Sequence, residues 1–196
     1  LNFADYDDND TPETEDDSVT LNGENVTLTK VSYTENPIHK ALTINLDNNT
    51  KVGYLMYNGF NNNFNNALND AFADFQAEGV DELVIDLRYN TGGSVQTAAY
   101  IGSMVTGQFN GQIFYTEQWN EDRQAAYASD GLFNQSISTG EAINSLNLNR
   151  VYIITTGRTA SASEMVINGL DPYIDVIQVG GTTTGKFQAS FLLYDA

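Results

Sequence analysis

The chain has 196 residues, with 26 Asp and Glu against 8 Lys and Arg, and its formal net charge is −18. A surface this negative repels nucleic acid and anionic membranes, so neither is an expected partner. The sequence has no Cys and a single His, which excludes thiolate catalysis, Cys-based zinc sites and His-cluster metal sites. No apolar run is long enough to span a bilayer. We expect one main globular domain with no metal and no cofactor.

Much of the negative charge lies near the start of the chain. Residues 5–17 contain eight acidic side chains and no basic one. Such a block is typical of a solvated loop. A calcium loop is the alternative, because Asp5, Asp7 and Asn9 alternate as ligands would, but Asp10 replaces the glycine at the sixth position and the closing glutamate is missing. We therefore favour the solvated loop.

The hydrophobic pattern predicts strands within residues 18–60. Residues 19–21 and 26–29 are apolar and β-branched, and the Asn22–Gly23 pair between them is typical of a hairpin turn. Residues 51–57 form a further apolar and aromatic strand.

After residue 60 the pattern alternates between helical and strand periods. Apolar side chains at helical spacing predict helices at 64–79, 95–105 and 165–170, and short apolar runs predict strands at 83–87, 151–156 and 176–179. Alternation of this kind implies right-handed crossovers and a largely parallel sheet. The predicted fold class is α/β.

Three predicted strands end in loops rich in Gly, Thr and Ser, at residues 89–94, 157–164 and 180–186. Each could be ordinary turn chemistry. Because parallel strands end at one edge of a sheet, where ligands of α/β proteins bind, their coincidence predicts a site there.

A serine nucleophile at this edge needs a base. His39 lies far upstream in a predicted loop without a motif around it, so we interpret it as a surface residue. The other base available to a serine is an uncharged lysine, a form that burial favours. Lys186 is the cation of the third loop, and Phe187 beside it could provide apolar surroundings.

Ser161 is a better nucleophile candidate than Ser163, because it stands at the predicted start of a helix, where the helix dipole stabilises negative charge. The Ala162 N–H would be one oxyanion donor, and the Gly92–Gly93 turn could bring another. Ser161 and Glu164 also have the spacing of a capping box, which needs no catalytic purpose.

A phosphate-binding loop is a competing interpretation of the third loop. Gly180, Gly185 and Lys186 match that motif up to its last position, where Phe187 replaces the Ser or Thr that holds magnesium. Residues 190–194 have a strand pattern, whereas the motif requires a helix. Nucleotide binding is therefore not favoured.

Taken together, residues 84–93, 159–164 and 179–186 resemble the carboxy-terminal processing (tail-specific) serine peptidases, a family related to tricorn protease with a ClpP/crotonase-like core. The 25 residues from Ser161 to Lys186 match the family's interval between nucleophile and base. The resemblance covers about residues 50–190, since residues 52–60 are similar to the strand that opens the family's core.

The resemblance implies that Ser161 is the nucleophile and Lys186 the general base. It implies an oxyanion hole formed by the Ala162 N–H and a glycine of the pair, Gly93 in preference to Gly92. Glu164 matches an acidic position of the family, with helix capping as its expected role.

Two further positions agree with the family pattern and one departs from it. Asp86 and Arg88 match family positions that we interpret as structural, tying a strand to the glycine turn. Many members carry a Gln four residues after the Lys, where this chain has Ser190, so whether Gln188 supports Lys186 is open.

The family pattern also predicts the domain organisation. Residues 1–35 resemble the closing strands of a PDZ-like domain with an acidic loop, and residues 36–196 a peptidase core that stops soon after Lys186. The expected substrates are unfolded or C-terminally tagged polypeptides. The implied location is exported, periplasmic or at the cell surface of a Gram-negative bacterium.

Two other functions stay open. A catalytically impaired core could bind peptides without cutting them. The absence of Gln at position 190 favours this alternative, whereas the presence of both Ser161 and Lys186 is evidence against it. A crotonase-like acyl-CoA enzyme is the second alternative, opposed because the phosphates of coenzyme A would meet an acidic surface.

Overall fold

The structure is a computed structural model that describes residues 1–190. The chain divides into two compact units, residues 1–35 and the residues from 36 onward. In the described part of the chain, no helix is long and apolar enough to cross a membrane. The strand predicted at 190–194 lies almost wholly outside the described residues; Ser190 itself is in no strand.

The first unit is an antiparallel hairpin of β1 (Asn2–Asp7) and β2 (Ser18–Asn25), joined by the acidic residues 8–17. The predicted turn at Asn22–Gly23 is therefore wrong, because both residues lie within β2, and residues 26–29 form no strand. Gly23 has a φ of 83°, and the pairing register shifts here, so the Asn–Gly pair makes a bulge instead of a turn. The Asn22 side chain donates to Asp5 on the partner strand, which ties the bulge into the ladder.

The second unit is built on a five-stranded sheet with the order β3-β4-β5-β8-β9. β3 is antiparallel to β4, and the other neighbours are parallel. A small antiparallel pair, β6 and β7, stands apart from it. The strands are β3 (Ile38–Asn45), β4 (Lys51–Tyr57), β5 (Glu82–Asp86), β6 (Ile113–Thr116), β7 (Asp130–Leu132), β8 (Arg150–Thr155) and β9 (Asp175–Gly180).

Helices follow the parallel strands, as the alternating pattern predicts. Those that follow parallel strands are α1 (Asn65–Glu78), α2 (Val95–Val105) and α4 (Ala162–Leu170), whereas α3 (Glu121–Tyr127) lies between β6 and β7. α1 ends at Gly79, which adopts the left-handed conformation with a φ of 69°. The α/β fold class and its largely parallel sheet are confirmed.

The long connection between α2 and β8 is the part of the fold whose secondary structure the sequence pattern did not predict. Its strands β6 and β7 are short, and the helix between them has seven residues, too few for a clear period. Phe114 of β6 packs against both α2 and α4: a Cβ at Gly102 or Gly169 would lie 2.5 or 2.6 Å from its ring. Glycine at both positions therefore makes room for the aromatic side chain.

The hydrophobic core lies between the sheet and its helices. Leu55, Ile85 and Ile153 on the three central strands are fully buried, as are Phe72 of α1 and Ile101 of α2. The core holds β4, β5 and β8 side by side, and so fixes where their carboxyl ends lie.

We predict that Ile153→Ala lowers the free energy of unfolding by about 2–5 kcal/mol, because the truncation leaves a cavity in a rigid core. Ile177→Ala, on the neighbouring strand at a position 37% exposed, is the matched control and should cost much less. Urea denaturation of both variants measures the difference. Equal losses would contradict this assignment of the core.

Candidate active site

Loops from four strands meet at the carboxyl edge of the sheet, one more than the three that the sequence predicts. Phe60, after β4, donates its N–H to the Gly92 carbonyl at 3.0 Å and accepts the Ser94 N–H at 2.8 Å. The loop after β4 is thereby joined to the glycine turn after β5.

Ser161 precedes α4 in a strained backbone conformation, with a φ of 59° and a ψ of −119°. A non-glycine residue in such a region costs about 1–3 kcal/mol and is found mostly at functional sites. Gly92 lies directly against it: a Cβ on Gly92 would lie 2.7 Å from the Ser161 Cβ. Gly92 also has a φ of 103°, so both space and conformation require glycine there.

The two candidate serines have different surroundings. Ser163 is fully buried, and its hydroxyl donates to the Asn90 carbonyl at 3.0 Å. Ser161 is partly exposed and lines a pocket of about 300 Å³. Of the two, Ser161 is the serine that a substrate can reach.

Lys186 lines the same pocket as Ser161, which brings the two predicted dyad residues together. Gln188 also lines it, whereas Ser190 does not. Lys186 is exposed, and Phe187 beside it is 90% exposed, so Phe187 does not provide the apolar surroundings suggested from the sequence. The reason is that residues 182–190 form no strand or helix that would pack Phe187 against the core.

Glu164 connects the serine to the lysine loop. Its carboxylate accepts the backbone N–H groups of Ser161 at 2.8 Å, Gly185 at 2.5 Å and Lys186 at 2.9 Å. The bond to Ser161 is the capping interaction that the sequence predicts. The bonds to Gly185 and Lys186 are long-range and could not be read from the helix alone.

The charge of Glu164 depends on these contacts. The side chain is only 8% exposed, and burial by itself raises its pKa. Hydrogen bonds from the Thr183 side chain and from the Gly185, Ser161 and Lys186 backbone outweigh burial, so the pKa is held below its ordinary value. Glu164 is therefore an anion at neutral pH.

The glycine turn offers one free donor. The Gly92 N–H is donated to the Asn90 side chain at 2.9 Å. Among the described residues, the Gly93 N–H and the Ala162 N–H have no acceptor. Both N–H groups are therefore free to bind an acceptor.

Asp86 and Arg88 form a charged pair behind the turn. The Arg88 guanidinium contacts both oxygens of the buried Asp86 carboxylate, at 2.7 to 3.0 Å, and Tyr54 donates to the same carboxylate at 2.7 Å. Burial raises the pKa of Asp86, but the bonds from Arg88 and Tyr54 outweigh it and lower that pKa. The Arg88 carbonyl accepts the Thr156 hydroxyl, which links the β5 and β8 loops.

His39 is exposed, as predicted, but it lies on β3 and not in a loop. It does not line the pocket. Sequence reasoning missed two residues, Tyr54 and Asn90. The signal for Asn90 was its place two residues before a glycine, where an Asn side chain accepts a backbone N–H.

Comparison with known proteins identifies the family. The model of peptidase family S41 matches residues 51–193, well over half of the chain. The chain belongs to peptidase family S41. The carboxyl-terminal-processing protease of Picosynechococcus sp. (strain PCC 7002) is 30% identical over 172 residues, which cover 87% of this chain and 37% of that protein.

Solved S41 structures share the fold. A protein from Bacteroides fragilis NCTC 9343 assigned to the S41 proteases has a TM-score of 0.73 and 35% identity, over 95% of this chain and 48% of that one. The photosystem II D1 C-terminal processing protease has a TM-score of 0.56 and 21% identity, over 86% of this chain and 40% of that one. This S41 chain thus spans less than half the length of these relatives.

We predict that Gly92→Ala destabilises the protein more than Gly140→Ala does. Both glycines have a positive φ, so both variants carry the same kind of backbone strain, but a Cβ at Gly140 meets no atom within 4 Å. The additional loss at Gly92 comes from the clash with Ser161. Urea denaturation measures the free energy of unfolding of both variants. Equal losses would contradict the prediction, because they would show that the Ser161 loop moves away from the added Cβ at no cost in stability.

We also predict that Glu164→Gln lowers the free energy of unfolding by about 1–3 kcal/mol at neutral pH, because both carboxylate oxygens accept backbone N–H groups, whereas an amide has one acceptor oxygen and its NH2 group would face an N–H donor. Since the pKa of Glu164 is lowered by folding, the advantage of the wild type is present above its unfolded pKa and disappears as pH falls through the folded value.

Urea denaturation of wild type and variant across the acid range measures this pH dependence. Glu121→Gln, on the exposed helix α3, is the control and should change stability by less than about 0.5 kcal/mol. A difference between wild type and Glu164→Gln that does not shrink in acid would disprove the role of the Glu164 charge.

Proposed function

We propose that this chain carries the catalytic centre of a serine endopeptidase with a Ser161–Lys186 dyad. The observation that carries the proposal is that one pocket is lined by both residues while Glu164 binds the backbone N–H of each. Membership of peptidase family S41 supports the reaction class.

In the proposed acylation step, the Ser161 Oγ attacks the carbonyl carbon of the scissile peptide bond. Lys186, in its uncharged form, takes the hydroxyl proton and then gives it to the leaving amine. Lys186 is exposed in the substrate-free chain. A polypeptide bound over the pocket would remove water from the amine and so favour its uncharged form.

The tetrahedral intermediate carries an oxyanion that needs fixed donors. The free N–H groups of Gly93 and Ala162 are the proposed pair, and Gly92 is excluded from the hole because Asn90 takes its N–H. Ala162 is the first residue of α4, so the helix dipole adds to the stabilisation. Water then attacks the acyl-enzyme, with Lys186 as base again and Gln188 as a proposed support.

The proposed substrates are unfolded or C-terminally tagged polypeptides cleaved near their carboxyl ends. The name of the Picosynechococcus relative, a carboxyl-terminal-processing protease, supports this choice. We further propose a ClpP/crotonase-like core, a PDZ-like origin for residues 1–35 and an exported, periplasmic or cell-surface location, each supported by the resemblance of the sequence motifs to the family.

A peptide-binding protein without turnover is the second candidate function. The exposure of Lys186 favours it, because burial is what favours a lysine base and Lys186 is not buried in the substrate-free chain. The two candidates differ in products: the peptidase yields new chain ends, and the binding protein yields none.

The test is labelling with a fluorophosphonate probe and digestion of a denatured protein, both read by mass spectrometry on the full chain. We expect the label on Ser161, none in Ser161→Ala, and cleaved products from the wild type. Lys186→Ala should slow both reactions at least about 100-fold, the usual contribution of a general base.

Lys40→Ala is the matched control, since it removes an exposed lysine of β3 that does not line the pocket. It should leave both rates unchanged. Peptide binding by a wild type that is neither labelled nor able to cleave would establish the second candidate and disprove the first.

A further inference from the structure

We propose that Asn90 is a positioning residue that holds the two halves of the oxyanion hole in register. This inference rests on the proposed function. Asn90 is fully buried in the loop that follows β5, and its side chain and backbone bond to the end of β4 and to the loop after β8.

The side chain of Asn90 positions the glycine turn, which would supply the Gly93 N–H donor of the oxyanion hole. Its Oδ1 accepts the Gly92 N–H at 2.9 Å, and its Nδ2 donates to the Tyr57 carbonyl, at the end of β4, at 2.8 Å. The first bond fixes the orientation of the peptide unit before Gly92 and removes that N–H from the site. The next N–H along the chain, that of Gly93, is left free.

The backbone carbonyl of Asn90 positions the serine loop, which carries Ser161 and would supply the Ala162 N–H donor. It accepts the Ala160 N–H at 3.2 Å and the Ser163 hydroxyl at 3.0 Å. Ala160 and Ser163 flank Ser161 and Ala162, so these bonds hold the nucleophile and the second oxyanion donor from both sides. One residue is therefore bonded to both loops that would supply the oxyanion donors.

The chemistry of the position requires an amide. An aspartate could accept the Gly92 N–H but could not donate to Tyr57, and a leucine could do neither. A glutamine has both groups but needs space for a further methylene at a site with no exposure. Because the amide does not titrate, the positioning should work at any pH at which the protein is folded.

A comparison of Asn90→Ala with Asn69→Ala tests the proposal. Asn69 is also buried, and its side chain also bonds two backbone groups, Ala142 O and Asn144 N–H, but it does not line the pocket. The two variants should lose similar stability. Only Asn90→Ala should lose kcat, by about 100-fold, with a much smaller change in KM, because misplaced donors act on the transition state.

The affinity for a peptide boronate, which forms a tetrahedral adduct with the serine, is the second measurement. A residue with a merely structural role would not change this affinity. The affinity should fall in Asn90→Ala by about the same factor as kcat, and should be unchanged in Asn69→Ala. If Asn90→Ala does not fold, Ser163→Ala removes only the bond to the Asn90 carbonyl, and should show the same pattern at a smaller size.

Three results separate the outcomes. An active wild type with unchanged kcat and boronate affinity in the variants that fold overturns the role of Asn90 and leaves the proposed function intact. Equal loss of kcat in Asn69→Ala also overturns it, because general destabilisation then explains the effect. A wild type without turnover or label at Ser161 overturns the proposed function and this inference together.

Discussion

The parallel pairing of β4, β5, β8 and β9 is the constraint on which the site depends. Parallel neighbours all end at the same edge, so the four loops that follow these strands meet there although they are far apart in sequence. The buried side chains of the central strands fix the register of that edge. Hydrogen bonds between the backbone and short polar side chains join these loops to one another.

Two buried polar residues hold those loops together from opposite sides. Asn90 connects the glycine turn to the serine loop, and Glu164 connects the serine loop to the lysine loop. The bonds to Glu164 involve a charge and are accordingly stronger than neutral ones. Together they offset the strain of a serine with a positive φ, which places its hydroxyl at the open end of α4.

The sequence pattern predicted α1, α2 and the strands of the parallel sheet, but not the short elements between α2 and β8. α1 and α2 have enough turns for an apolar stripe to repeat, whereas β6, β7 and α3 do not. Asn22–Gly23 predicted a hairpin turn because that pair favours a positive φ. It does adopt one at Gly23, but within a strand paired to β1, since long-range pairing decides between a turn and a bulge.

The sequence by itself determined the fold class and the family, and it predicted Ser161, Lys186 and Gly93 as site residues, because periodicity and ordered motifs are local properties of the chain. The tertiary structure decided which serine is accessible, which glycine N–H is free and what Glu164 binds. It also showed that Phe187 leaves Lys186 exposed and that Asn90 lies between the loops. These facts depend on contacts between segments about 20 to 70 residues apart. No local pattern encodes them, since they arise only when the parallel strands bring the loops to one edge.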